Sequence, residues 1–413
     1  MPRGADDRYW EGPGLPSVFK HTLLQKYMPQ FAGMTGSRAE TKRVVVLDGF
    51  AGRGRYKDGS PASAERILKI AQDQSANGTL SWTCFFVERE DEDAAQLVKV
   101  VGQYAGHGVT ARAHHGSVLD VLDDVVRAAV GCPLFLFLDP CGLGIPYERL
   151  VSLLRDDRRA QWPPTEILLN FSLEAVRRIG GHVASTQGSE ATMRRLDEAL
   201  GGDWWRGEFV QGVSSDAVAT VVARFGERLG NDSNMDIVSV PVLRAPTHQP
   251  VYHLVFGTRS DYGLWVFGDS VAWATQAWWD TLGEIEIEQD PPILFPPSQV
   301  QRPSLELVES RALAEITGNL EAIMQDWPSF RVVDHTLRVF GNSYGQVRET
   351  IVRQAIKTLH RAGRTPSTGQ GRKIRELEVR RPRQISGHAE ASRCRSGPPG
   401  VGRPPWASAR PTA

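Results

Sequence analysis

The sequence predicts an α/β protein with a doubly wound, seven-stranded sheet, a helical insertion and a small helical C-terminal module. Three observations lead there. Runs rich in β-branched and aromatic residues alternate with stretches of helical periodicity. Most of these runs are continuously apolar, as strands covered on both faces are. A proline cluster, Pro291, Pro292, Pro296 and Pro297, then separates this pattern from a short basic region.

In chain order, the first strand is expected at residues 43–48 (RVVVLD), followed by a helix at 63–73. Strands at 82–88 (WTCFFVE), 109–115, 133–139 (PLFLFLD) and 165–171 (TEILLNF) alternate with helices at 91–104, 118–129 and 147–156, whose apolar residues recur three or four apart. Two more strands, around 236–244 and 251–259, precede a Trp-rich helix at 263–282. Between the fifth and sixth strands, residues 172–235 form a polar insertion carrying Trp204 and Trp205. A segment of that length is expected to be helical and to serve as a lid or recognition element, or simply as an added helical layer.

These signals divide the chain into a helical N-terminal segment (1–42), the α/β domain (43–290), a Pro-rich linker (291–303), a C-terminal module (304–382) and a tail (383–413). The module reads as helices at 305–325, 332–340 and 345–362 with a two-stranded wing within 363–379, a pattern that resembles a winged helix-turn-helix. The tail, rich in Pro, Gly, Ser, Ala and Arg, is expected to be disordered.

The 413 residues, 41% hydrophobic and 23% charged, suit a globular protein of two or three domains. No apolar run reaches the roughly 18 residues that span a bilayer, so a cytoplasmic protein without membrane contact is expected. Cys84, Cys132, Cys141 and Cys394 lack metal-site or disulfide-framework spacing, and no metal is expected. Formal net charge is zero, yet the stretch 331–413 carries 17 Lys and Arg against 5 Asp and Glu. A basic end on an acidic body suits a polyanionic partner such as nucleic acid.

The chemistry concentrates at the strand ends. The first strand runs into Asp48-Gly49-Phe50-Ala51-Gly52-Arg53-Gly54, where glycines let the backbone approach a ligand closely. Its D-x-F-A-G-x-G form resembles the first motif of nucleic-acid methyltransferases, which holds the methionine part of S-adenosylmethionine against the loop; Asp48, Phe50, Ala51, Gly52 and Gly54 are the candidates. A dinucleotide fingerprint would open directly into a helix, but Arg55 to Gly59 and Pro61 intervene. Glu88, ending the second strand, is the candidate for the ribose hydroxyls. Ser117 or Asp120, after the third, would lie by the adenine. Asp139, in Asp139-Pro140-Cys141-Gly142, stands where amino-methylating enzymes carry N/D-P-P-Y/F, and is the catalytic candidate as orienter or proton acceptor for an amine. Asn170 could line the same pocket or cap a turn. Cys141 as a cytosine-C5-type nucleophile is disfavoured, because no Gln follows it and no Glu-Asn-Val triplet appears later.

Six segments together resemble the three-Cys-motif partner protein (TcmP) family: V-F-K-H-T-L-L-Q-K-Y-M from Val18, D-G-F-A-G-R-G-R-Y-K-D-G-S, F-V-E-R, L-D-P-C-G-L-G-I-P, E-I-L-L-N-F and V-Y-H-L-V-F-G-T-R-S-D-Y-G-L. The resemblance implies a bacterial protein with a methyltransferase-like Rossmann domain and an appended winged helix. It also implies a partner with a three-cysteine motif that looks like a radical S-adenosylmethionine protein. Two functions are then expected to compete. One is an S-adenosylmethionine-dependent methyltransferase acting on nucleic acid or a nucleic-acid-associated partner. The other is a non-catalytic DNA-binding partner protein. In either, Arg348, Arg353, Lys357, Arg361, Arg372, Lys373 and Arg375 are the phosphate-binding candidates.

Overall fold

A computed structural model describes residues 12–76, 80–104, 106, 108–289 and 304–382 of the chain. The linker and the tail expected from sequence therefore lie outside the described residues. Two compact units divide near residue 302.

In the first unit, helix α1 (Leu15–Phe31) ends in a wider π-type turn, and β1 (Arg43–Asp48) follows. Then come α2 (Ser63–Ala76), β2 (Ser81–Glu88), α3 (Asp91–Gly102), β3 (Val109–His115), α4 (Val118–Ala128), β4 (Leu134–Leu138), α5 (Tyr147–Ser152) and β5 (Thr165–Ser172). The insertion supplies α6 (Leu173–Gly180), α7 (Glu190–Leu200) and α8 (Ser215–Ser233), and β6 (Asp236–Val242), β7 (Tyr252–Thr258) and α9 (Asp261–Gln289) close the unit.

The seven strands form one sheet in the order β3-β2-β1-β4-β5-β7-β6. The first five are parallel, and β7 runs antiparallel to both of its neighbours. Consecutive side chains of a strand point to opposite faces, so β1 serves two cores at once. Val45 and Leu47 join a core with α4, α5 and the insertion helices. On the other face α1 packs along α9. There the Tyr27 ring meets Phe135 of β4, Phe256 of β7 and Phe267 of α9 at 5.8, 5.2 and 5.8 Å.

The insertion differs from the lid-like expectation. Leu196, Leu200, Trp205, Phe209, Val221 and Phe225 belong to the same core as β4 and β5, so it forms the second layer on that face. Trp205 is wholly buried and donates its indole N–H to Asp197 Oδ1 at 2.9 Å, while Trp204 donates to the Leu200 carbonyl. Burying so large an apolar surface explains why a polar-looking segment folds inward.

The second unit holds α10 (Leu305–Asp326), β8 (Ser329–Arg331), α11 (Thr336–Phe340), α12 (Thr350–Arg361) and β9 (Glu378–Arg380). Helix α12 begins five residues later than its apolar pattern predicts, because Gly345 takes a left-handed backbone (φ 74°) that a helix cannot contain. The two-stranded wing expected within 363–379 is not formed. Its last residues, as β9, pair antiparallel with β8 from upstream of α11. The preceding stretch is broken by positive φ at Gly363, Gly369 and Gly371 and is held by Arg353, which donates to the carbonyls of Gly369 and Gly371 at 3.0 and 2.8 Å.

Candidate functional site

In a doubly wound sheet, ligands bind at the C-terminal strand ends where the strand order reverses. Here that point lies at β1, flanked by β2 on one side and β4 on the other. A cavity of about 970 Å³ opens there. Its walls include Gly49 to Gly52, Glu88, Ser117, the stretch from Asp139 to Pro146, Asn170, and Lys20 and His21 of α1.

The loop after β1 is braced from beneath. Asp48 is wholly buried and off the cavity wall; it accepts hydrogen bonds from Ser63 Oγ at 2.8 Å and the Phe50 amide at 3.3 Å. Burial, reinforced by the charge of Asp139, lifts its pKa to about 7 against the opposing hydrogen bond from Ser63. Gly52 turns the chain at a φ of 59° and faces the cavity. Gly54 (φ 77°) does not; a Cβ there would stand 3.3 Å from Leu97 of α3. Arg53 pairs with Asp93 in the first turn of α3 at 2.6 Å, and Arg55 with the nearly buried Glu65 of α2, also at 2.6 Å. Of the loop residues singled out in the sequence, Phe50, Ala51 and Gly52 therefore form the wall, while Asp48 and Gly54 shape it from behind.

Glu88 lies on the wall at the end of β2. Its Oε1 accepts the amides of Arg89 and Glu90 at 2.6 and 2.8 Å, and its other oxygen carries no hydrogen bond among the described residues. Ser117 also borders the cavity but is engaged as the N-cap of α4. Its hydroxyl accepts the Leu119 amide at 3.2 Å while Asp120 accepts the Ser117 amide at 2.9 Å, a capping box.

Asp139 stands at the end of β4, beside the loop. The Asn170 side-chain amide donates to its Oδ1 at 2.7 Å, and Lys20 Nζ forms an ion pair with Oδ2. The carboxylate expected from the sequence to orient or accept a proton from an amine is thus engaged on both oxygens, and Asn170 orients it. Cys141 lines the cavity rim; desolvation and the neighbouring Asp139 raise its thiol pKa, which leaves it a poor thiolate nucleophile.

Sequence reasoning missed the part that α1 plays. Lys20 and His21 lie on the buried face of α1 with Leu24 and Met28, while Gln25 and Lys26 are exposed, and a polar pair on that buried stripe is the signal that could have pointed to them. His21 is 3% exposed, and its Nδ1 has no hydrogen-bond partner among the described residues. Burial, then Arg66 and Lys20, hold its pKa well below the usual imidazole value, so the ring is neutral. Tyr252 of β7 donates to the Pro16 carbonyl at 3.0 Å and lies beneath Lys20, fixing the start of α1 on the site.

The second unit presents the basic candidates unequally. Lys357, Arg361, Arg372 and Lys373 are exposed, Arg348 precedes α12, Arg375 is half-buried in a turn, and Arg353 is committed to backbone carbonyls.

The fold and site define a Rossmann-like α/β protein with a ligand cavity at its switch point. No protein-family model matches the chain, and no curated protein matches it in sequence. Among solved structures, the X-ray structure of YjhP from E. coli aligns at 11% identity over 58% of this chain and 98% of that one, with a TM-score of 0.22. No helix among the described residues is long and apolar enough to cross a membrane, and none of their His, Cys, Asp and Glu side chains cluster as a metal site.

Proposed function

We propose that the chain is an S-adenosylmethionine-dependent methyltransferase acting on nucleic acid or on a nucleic-acid-associated partner. One observation carries the reading: the glycine loop after β1 and the half-free carboxylate of Glu88 wall a single cavity at the switch point. The volume suits a nucleoside-sized cofactor with room for a second group, since such ligands occupy sites of roughly 300–1,000 Å³. Gly52 admits close approach of a ligand to backbone, and the second oxygen of Glu88 is available to a ribose hydroxyl. When bound, S-adenosylmethionine supplies a methyl group on a sulfonium. The chain's own residues hold the adenosine, shield the site under α1 and orient the carboxylate at Asp139.

The exposed cations of the second unit, with its helices and two-stranded sheet, are read as a winged-helix-like nucleic-acid module. The sequence resemblance to three-Cys-motif partner proteins adds a radical S-adenosylmethionine-like protein as the expected partner. A non-catalytic partner protein is the second reading. It is favoured by the engagement of both Asp139 oxygens and by Cys141 and Gly142, which provide no aromatic ring to stack on a base.

Thermal denaturation with S-adenosylmethionine and S-adenosylhomocysteine tests the proposal, because a ligand of the native state raises stability by mass action. A rise of several degrees in the parent, lost in Gly52→Val and Glu88→Ala, is the expected outcome. Equal stabilisation of parent and variants would place the ligand elsewhere.

A further inference from the structure

We propose that the Lys20–Asp139 ion pair is the receptor for the α-amino-acid end of the cofactor, with Lys20 holding its carboxylate and Asp139 its ammonium. The assignment rests on the cofactor reading above and goes beyond it by giving Asp139 a binding role and by making α1 part of the site.

Position comes first. The end of β4 and the loop after β1 share an edge, since the Gly49 amide donates to the Phe137 carbonyl at 2.9 Å. Asp139 therefore stands next to the turn that brings ligand and backbone together, on the side away from Glu88 and β2. A ligand whose ribose lies at Glu88 and whose chain passes the Gly52 turn ends at Asp139.

Charge comes second. The side chains of Lys20 and Asp139 are only 5% and 12% exposed, and both line the cavity. Two opposite charges held side by side and away from water are matched by a ligand bearing one charge of each sign. An α-amino acid carries both on a single carbon and adds no net charge to a poorly solvated site, which a lone anion or cation would do. Both charges are also held in place. Asn170 fixes the Asp139 carboxylate from β5, and the Lys20 ammonium lies 5.7 Å from the ring of Tyr252, whose hydroxyl ties down the start of α1. Each carboxylate oxygen accepts more than one hydrogen bond, so Asp139 can keep Asn170 while it receives an ammonium.

Isothermal titration calorimetry of the full chain with two probes tests the assignment. S-adenosylhomocysteine carries the amino-acid end, and 5′-methylthioadenosine shares the adenosine and thioether but lacks it. Lys20→Met, Asp139→Asn and the double variant should each weaken S-adenosylhomocysteine at least tenfold and leave 5′-methylthioadenosine within about twofold. The double variant removes both charges together and keeps the test usable if a single change, which strands a buried charge, prevents folding. Unchanged S-adenosylhomocysteine affinity overturns the assignment alone. Equal weakening of both probes shows a merely structural pair and overturns it too. A parent that binds neither probe removes the cofactor reading along with the assignment.

Discussion

Lys20 of α1 is ion-paired with Asp139 at the end of β4, across 119 positions of sequence, and the pair closes one wall of the cavity. It therefore ties the N-terminal helix to the ligand-facing edge of the sheet in charge as well as in packing. A buried ion pair is costly to break from one side and nearly neutral to replace from both.

The first prediction follows from that asymmetry. Lys20→Met should cost about 3–5 kcal/mol, because it leaves the Asp139 carboxylate unpaired in a poorly solvated place. Adding Asp139→Asn should recover most of the loss. Chemical denaturation of the parent, both single variants and the double variant measures the coupling; additive losses would mean that the pair carries no energetic weight.

Most of the fold was legible because the central strands, buried on both faces, leave long apolar runs, and all seven strands, the half-exposed edge strands β3 and β6 included, lie within two residues of their expected bounds. The glycine loop and Glu88 were legible for a related reason, since a strand's end can be read from where its apolar run stops. What could not be read was tertiary. Nothing local in Val18 to His21 says that Lys20 meets Asp139. Nothing local in a polar insertion says that Trp205 is wholly buried in the core beside β5. The expected wing failed likewise, because the partner of β9 was β8, on the far side of two helices.

A second buried carboxyl gives a pH prediction. Glu166 of β5 accepts hydrogen bonds from Tyr27 of α1 and, at 2.9 Å, from Thr258 of β7, and burial lifts its pKa from 4.5 to about 7. The folded state therefore holds a proton that the unfolded chain has released between about pH 4.5 and pH 7. Stability is fully present below that window and falls as pH rises through it, and the raised pKa of Asp48 acts in the same direction. Glu166→Gln, neutral at every pH, should flatten the decline and exceed the parent at pH 8 by on the order of 1–3 kcal/mol. Thermal midpoints measured from pH 5 to pH 8 check this, and a parent whose stability rises with pH across that range would refute it.

Trp205 yields a third. It is wholly buried, stacks edge-on to Phe209 at 5.9 Å and satisfies its N–H on Asp197. Trp205→Ala should cost about 3–5 kcal/mol by opening a cavity, while Asp197 keeps its pairing with Arg206. Because the insertion shares its core with β4 and β5, the loss should appear as one cooperative transition of the whole α/β unit. A separate low-temperature transition would instead mark the insertion as an independent lid.

The last prediction concerns the basic surface of the second unit, where only some cations are available to a partner. Arg364 is paired with Glu321 at 3.0 Å, Arg338 with Asp326 at 2.7 Å and Arg380 with Glu378 at 2.7 Å. Lys357 and Arg361, both on α12, and Arg372 and Lys373, in the loop that Arg353 holds, are exposed and carry no ion pair among the described residues. If these four bind phosphates, duplex DNA should associate with the full chain with an affinity that drops steeply as salt rises, because each neutralised phosphate releases counterions. Replacing Lys357 and Arg361 with Gln should weaken binding and lower the slope of log K against log salt by roughly 0.9 for each phosphate no longer neutralised. Arg364→Gln should leave the slope unchanged, since its charge is already committed to Glu321. Arg353→Gln should destabilise the loop at Gly369 and Gly371 before it affects salt dependence. Fluorescence anisotropy across a salt series separates the cases. Binding that is absent, or that ignores salt in the parent, would make this surface a protein-binding face rather than one for nucleic acid.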